Sequence, residues 1–223
     1  MKYTQVRFET KMMIEAEKMI KHNTRYINPE YVRDCMEHNK EKNTIVVFGK
    51  NGTKQYEVQA RKRESKEERL DRLEVNRVMM TQLKEELEQC KIGSKNFREK
   101  KHAVVIDSIV TLSNEINEMY SRGEITKEEL NRRFIKTVGN MEKELGLKAL
   151  NATIHYDEKT PHMHVSYRNY YNGKGISRDL KTVYKKAQDI SAYEFADLGF
   201  VRGEEKEKTK AKQIGRASCR ERV

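Results

Sequence analysis

The sequence predicts an α+β protein, with an antiparallel sheet, helices packed on it and a long charged helix inserted between strands. Strand-like and helix-like segments alternate along the 223 residues. Residues 149–155 and 162–167 both alternate as strands do, and the short turn-like segment between them favours an antiparallel pair. No P-loop, dinucleotide fingerprint or internal repeat indicates ATP use or a built-in helicase.

The first half of the chain predicts a strand, a helix, a hairpin and a long helix. Residues 2–8 alternate with β-branched and aromatic side chains, which is typical of a strand. Residues 12–21 place apolar side chains at helical spacing, and His22 follows at the end of this helix. Short apolar runs flank residues 49–52, a strong hairpin signal. Residues 61–89 combine a capping box with an apolar stripe, which predicts a charged helical arm. The expected stripe consists of Leu70, Leu73, Leu83 and Leu87.

The second half adds one central strand and two helices. Residues 103–110 are nearly continuous in apolar and β-branched side chains, as in a buried strand. A capping box at residues 126–129 begins a helix that stops near Gly146. We expect this helix to cover the face of the sheet opposite the histidines described below. Residues 180–198 predict a last helix.

Length and charge bound the domain organisation and the class of partner. We expect one domain over residues 1–200, with the hairpin and helical arm inserted at about 43–92, and a linker or helical extension over 201–213. Residues 214–223 resemble the translation of a sequencing adapter, so the natural protein is expected to continue beyond about residue 213. The net charge of +11 favours a polyanionic partner. The lack of a long apolar run predicts no membrane segment and a cytoplasmic location.

Half of the histidines lie within one stretch of ten residues. His155, His162 and His164 belong to the pattern His-x-Asp-Glu-x-x-Pro-His-x-His. Because strand side chains alternate, His162 and His164 share a face, and His155 reaches it from the neighbouring strand. Three neutral imidazoles predict a metal site with coordination positions left for water or substrate. Asp157 or Glu158 would accept the second ring N–H of a ligand histidine.

The same residues carry a resemblance to a known family. The histidine stretch resembles the third motif of the MobV, or Pre/Mob, plasmid mobilisation relaxases, which belong to the HUH endonucleases. Lys21-His22-Asn23-Thr24-Arg25 resembles the His-Asn-x-Arg motif of that family. Residues 97–110 combine basic residues with a following apolar strand. They resemble the segment that precedes the histidine stretch in the family, and that stretch is called the metal motif below. The motifs occur in the order that the family shows.

The resemblance implies a relaxase that nicks one strand at an origin of transfer, keeps the 5′ phosphate covalently attached and releases a 3′ hydroxyl. His22 would be the nucleophile, Arg25 would orient the phosphate, and Glu158 would support the three histidines that hold the metal. The family implies manganese or magnesium, whereas three imidazoles by themselves suit zinc better. The expected partner is single-stranded and hairpin origin DNA, and a missing C-terminal region could mediate a homodimer.

Three alternatives are open. Tyr26 or Tyr31 could be the nucleophile, with His22 as its helper. A metal-dependent nuclease in which bound water attacks would leave no covalent adduct. A non-enzymatic DNA-binding module for replication or regulation would use the metal structurally, so that chelation would cost it folding as well as function.

Overall fold

A seven-stranded sheet organises the part of the chain that the computed structural model describes, residues 1–27, 41–50, 52–59, 65–171, 174–176 and 180–203. The strands in chain order are β1 (Tyr3–Lys11), β2 (Asn43–Gly49), β3 (Gly52–Val58), β4 (Val105–Leu112), β5 (Ala149–His155), β6 (His162–Arg168), β7 (Tyr170–Tyr171), β8 (Lys174–Gly175) and β9 (Val201–Arg202). The spatial order is β3-β2-β5-β6-β4-β1-β9, and β7 and β8 form a separate ribbon. Among these neighbours β1 and β9 run parallel and the others antiparallel, which confirms the predicted class.

Five helices flank the described sheet. They are α1 (Met13–Asn23), α2 (Lys66–Gly93), α3 (Glu115–Ser121), α4 (Lys127–Leu145) and α5 (Leu180–Glu194), followed by a short 3₁₀ helix at Ala196–Leu198. The sequence signals at their ends are confirmed. Ser65 caps α2 with the reciprocal bonds of a capping box, and the Thr126 side chain accepts the backbone N–H of Glu129. Gly146 ends α4 with φ 66°, a conformation that glycine adopts without strain.

The two faces of the sheet bury separate clusters of apolar side chains. On one face α4 packs Leu130, Phe134 and Met141 into the same cluster as Met163 of β6. The predicted position of this helix, opposite the histidines, is therefore confirmed. On the other face α1 and α2 pack against residues of β2, β4 and β5, which leaves one end of this face for the histidine side chains.

The hairpin and α2, predicted as an inserted arm, pack closely on the rest of the domain. Strand β2 pairs with β3 on one side and with β5 on the other, so the hairpin belongs to the main sheet. The buried apolar side chains of α2 recur every three or four residues as Val75, Met79, Leu83, Leu87 and Cys90. Leu70 and Leu73, expected in the same stripe, are instead exposed, because this spacing turns the buried face away from them.

Some predictions fall outside the described residues. These are the alternative nucleophile Tyr31, the predicted start of the long helix at residues 61–64, and residues 204–223 of the predicted linker and tail. The linker was predicted to begin at residue 201, but Val201 and Arg202 form β9, because their backbone pairs with β1. Within the described part, no helix is long and apolar enough to cross a membrane.

Candidate active site

The predicted convergence of three histidines is present at one end of β5 and β6. His155 lies directly opposite His162 across the ladder, and His164 follows two residues later on the same face. The ring centroids of His155 and His162 are 5.1 Å apart, those of His155 and His164 5.5 Å, and those of His162 and His164 5.4 Å. The alternation of strand side chains thus gathers the three rings as the sequence predicted.

The last turn of α1 brings His22 to the same place. The His22 ring centroid is 5.2 Å from that of His155 and 6.1 Å from that of His164. Its Nε2 lies 3.4 Å from Oε1 of Glu158, and the His22 side chain is 18% exposed. The candidate nucleophile is therefore close to the histidine cluster and still reachable from outside.

Among the described residues, two groups of side chains have ligand atoms close enough to hold one metal ion. Within each group these atoms lie within 4.8 Å of one another, and the groups are His22, His155 and His164, and His155, Glu158 and His162. The predicted set of three motif histidines is not among these groups. Glu158, expected to support the ligands, is itself in ligand position. A carboxylate beside two imidazoles suits manganese better than three imidazoles do.

Hydrogen bonds orient two of the imidazole rings. Nδ1 of His162 lies 2.8 Å from the carbonyl oxygen of Thr160, which leaves Nε2 free to bind an ion. Nδ1 of His155 is 2.8 Å from Nη2 of Arg25, and its Nε2 is 3.3 Å from Oδ1 of Asn23. An ion that binds His155 must therefore replace one of these two contacts.

Arg25 joins the segment after His22 to the metal motif. Its side chain is buried and forms a fork on Asp157, with Nε donating to Oδ2 at 2.8 Å and Nη2 to Oδ1 at 2.5 Å. Nη2 also donates to Glu158 at 2.9 Å, and Nη1 donates to the backbone oxygen of His22 at 2.9 Å. Each guanidinium nitrogen thus already contacts a protein acceptor. The contact of Arg25 with a DNA phosphate stays a prediction.

The protonation states of the site suit nucleophilic attack and metal binding. Burial lowers the pKa of His22, a hydrogen bond with Glu158 opposes this, and the charge of Arg25 lowers the pKa further. Burial and then the Arg25 charge hold the pKa of His155 well below its usual value, and burial lowers that of His162 against the opposing charge of Glu158. Burial alone would raise the pKa of Glu158, but its hydrogen bond with His22 and the nearby imidazole and guanidinium groups lower that pKa overall. At neutral pH these three imidazoles are neutral and Glu158 is ionised.

Sequence reasoning missed two polar residues of this site. Asp107 of β4 is 2% exposed, and its Oδ2 lies 3.4 Å from Nδ1 of His164. Its signal was an acidic residue within a strand that is mostly apolar or β-branched. Asn23, whose Oδ1 contacts His155, belongs to the His-Asn-x-Arg motif, but nothing in the sequence indicated that its side chain would reach His155. Both are placed to fix the orientation of a histidine ring.

Comparison with known proteins agrees with the fold and the motifs. A family model, Mob_Pre, described as plasmid recombination enzyme, matches residues 62–217, which is more than half of the chain. This span contains the histidine stretch, whereas His22 and Arg25 precede it. None of the curated proteins matches the chain.

Several solved structures of one protein share the fold. They are structures of the MobM relaxase domain (MOBV; Mob_Pre) bound to plasmid pMV158 oriT DNA. A manganese-bound structure at pH 5.5 has 18% identity and a TM-score of 0.62, with 96% of this chain and 95% of that chain covered. Another, at pH 6.5, has 20% identity and a TM-score of 0.60 over 95% and 94% of the two chains. A third, with 26-nucleotide DNA, has 18% identity and a TM-score of 0.57 over 96% and 97%.

The family match and the shared fold confirm the resemblance that the motifs predicted. The matched residues include His155, Glu158, His162 and His164, and the similar structures cover nearly all of this chain. The chain therefore belongs to the Mob_Pre family of plasmid recombination enzymes.

Proposed function

We propose that this protein is a DNA relaxase that nicks one strand at an origin of transfer of a plasmid or mobile element and then rejoins it. The observation that carries the proposal is the approach of His22 to the metal motif, at 5.2 Å between the rings of His22 and His155. The family, the MobM structures bound to oriT DNA and the net charge of +11 support a DNA substrate. We propose single-stranded or hairpin origin DNA as its form.

In this reaction His22 attacks the scissile phosphate as a neutral ring. We place the ring proton on Nε2, which lies 3.4 Å from Oε1 of Glu158, so that the lone pair is on Nδ1. A bond forms between Nδ1 and phosphorus while the bond between phosphorus and the 3′ oxygen breaks. That oxygen leaves with the electron pair and takes a proton from solvent water. The carboxylate of Glu158 stabilises the positive charge that the ring acquires. The 3′ hydroxyl reverses the cleavage step by attacking the 5′-phosphohistidine. This rejoining is favourable because the P–N bond is a high-energy bond.

The residues present fit a divalent ion. We propose His155, Glu158 and His162 as its ligands, with His164 close by and its Nδ1 3.4 Å from Oδ2 of Asp107. When bound, the ion supplies charge that polarises the scissile phosphate and offsets the negative charge that develops on it. A carboxylate among the ligands suits manganese or magnesium better than three imidazoles would. Manganese is the ion in the similar structures.

A covalent adduct between protein and DNA is the expected product. The protein mixed with single-stranded DNA from the origin of its own element and Mn²⁺ should give a band that survives denaturation, because the phosphorus is bonded to the side chain. Chelation with EDTA should prevent it. Acid should release the DNA, because a phosphohistidine bond is acid-labile and a phosphotyrosine bond is not. The adduct and its acid lability are read on denaturing gels.

The two other enzyme mechanisms give different products. Metal-dependent cleavage with no adduct at any time point would contradict the relaxase and indicate a hydrolytic nuclease. An acid-stable adduct would contradict His22 as nucleophile and indicate a tyrosine. Binding to the origin DNA without cleavage, together with unfolding on chelation, would indicate a DNA-binding module with a structural metal.

Glu158→Gln should weaken Mn²⁺ binding by more than about 100-fold, because it removes a charged ligand rather than a group that supports one. His164→Gln is the matched comparison, because His164 belongs to the other candidate group. We expect it to weaken Mn²⁺ binding less than Glu158→Gln does. Calorimetric titration of Mn²⁺ into each metal-free variant gives the affinities. The reverse order would contradict the proposed ligand set and favour the group that contains His164.

A further inference from the structure

The long helix α2 contacts the backbone that immediately follows His22. Nδ2 of Asn76 donates to Oγ1 of Thr24 at 2.8 Å, and that hydroxyl in turn donates to the carbonyl oxygen of Ile20 at 2.8 Å. Thr24 is fully buried and Asn76 is 9% exposed. The single hydroxyl proton of Thr24 is used on α1, so the amide of Asn76 fills its acceptor side. This pair ties the end of α1 to α2.

A second contact holds the next residue. Arg25 has φ 54°, in the left-handed region that residues other than glycine rarely adopt. This turn sends the Arg25 side chain back to Asp157 and Glu158 and places its Nη1 on the backbone oxygen of His22. Nη1 of Arg72 on α2 donates to the Arg25 carbonyl oxygen at 3.2 Å. The hydrogen bond from Arg72 on α2 thus supports the left-handed backbone conformation of Arg25.

The helix that makes these contacts is itself fixed to the sheet. Val75, next to Asn76, is fully buried, as is Met79 one turn later, and both pack in the same cluster as Ala16 and Ile20 of α1. Side chains that pack in a dense core have little freedom to shift. Asn76 therefore stands on a rigid support, with its amide directed at the segment that carries the nucleophile.

We infer that Asn76 is a positioning residue: through Thr24, it holds the end of α1 so that His22 stays close to the histidines of the metal motif. This inference rests on the proposed function, and it adds a part of the chain that the two histidine motifs do not contain. The hydrogen bond of the Asn76 amide is made to Thr24 and not to a reacting group proposed here. Its effect on the reaction comes from the geometry of α1, where a displacement of about 1 Å can cost about 100-fold in rate.

The test is a single-turnover nicking experiment at saturating DNA and Mn²⁺. Asn76→Leu keeps the size of the side chain and its helical preference but removes the amide. We expect its rate constant to fall about 10-fold to 100-fold while the dissociation constant for DNA stays within about threefold of wild type. Thr24→Val should lower the rate constant similarly, and Thr24→Ser, which keeps the hydroxyl, should restore it. Thr81→Ala on an exposed position of α2 is the control and should leave the rate unchanged.

The rate constant separates positioning from folding. Loss of folded protein lowers the amount of DNA cleaved in one turnover, whereas misplacement of His22 lowers the rate constant of the protein that is folded. If Asn76 and Thr24 act through their shared bond, the double variant Asn76→Leu/Thr24→Val should be no slower than the slower single variant.

The outcomes distinguish this inference from the proposed function. Rate constants of Asn76→Leu and Thr24→Val within about twofold of wild type, or effects that multiply in the double variant, would overturn the inference alone. If Asn76→Leu does not fold, the pair Thr24→Val and Thr24→Ser decides the question. A wild-type protein that cleaves without any covalent adduct would overturn the proposed function and this inference with it.

Discussion

Replacing His22 with alanine is expected to abolish the covalent adduct and to lower single-turnover strand cleavage by more than about 10³-fold, because no other group takes over as nucleophile. The His22 side chain is exposed enough to meet a phosphate, and its pKa is lowered by burial, so it is neutral at pH 7. Origin DNA should bind His22→Ala nearly as well as wild type. Adduct bands on denaturing gels and DNA binding by fluorescence anisotropy measure the two effects.

Tyr26→Phe is the matched control for this prediction. Tyr26 is the described tyrosine nearest in sequence to His22. It is 46% exposed, and its backbone N–H donates to the carbonyl oxygen of Lys21 at 2.9 Å. We expect Tyr26→Phe to form the adduct at the wild-type rate. Adduct that persists in His22→Ala and disappears in Tyr26→Phe would assign the nucleophile to the tyrosine. Mn²⁺ affinity that falls in His22→Ala would instead place His22 among the metal ligands, in the group with His155 and His164.

The parts of the site that follow a local period could be predicted from the sequence. Side chains alternate along a strand, so the spacing of His162 and His164 was sufficient to put both on one face and Met163 in the opposite core, where it is fully buried. The short segment after His155 was sufficient to predict an antiparallel neighbour. The helix that covers the other face could be predicted for the same reason, because its apolar residues follow the helical period and its ends carry caps.

The contacts between distant parts of the chain could not be predicted in this way. No periodicity connects Asp107 with His164, since their strands become neighbours only through the order of the sheet. The same holds for Asn76 and Thr24, which meet because α2 packs beside α1. The sequence predicts Glu158 as a support for three histidine ligands. Its place as a candidate ligand depends on the path of the turn between β5 and β6.

Loss of the Arg25 guanidinium should be the most destabilising single change in this site, because it leaves buried carboxylates without their cation. The Arg25 and Asp157 side chains are fully buried, and the guanidinium also contacts Glu158. Arg25→Met should lower the free energy of unfolding by about 3–5 kcal/mol, because it leaves two carboxylates without their cation in a poorly solvated place. Arg25→Lys should lose less, since it keeps the charge but not the fork that matches a carboxylate. Urea unfolding of the metal-free proteins measures these differences.

A double variant shows whether the loss comes from the uncompensated charge. Arg25→Met/Asp157→Asn removes the guanidinium and one of the two carboxylates that it contacts, so it should be more stable than Arg25→Met alone, although two groups have been changed. All these variants share the left-handed backbone at residue 25, so its strain cancels in the comparison. A loss below about 1 kcal/mol in Arg25→Met, as for exposed ion pairs, would mean that water reaches both carboxylates. The first result makes Arg25 the stabilising link between the nucleophile segment and the metal motif, and the second leaves it free to contact DNA.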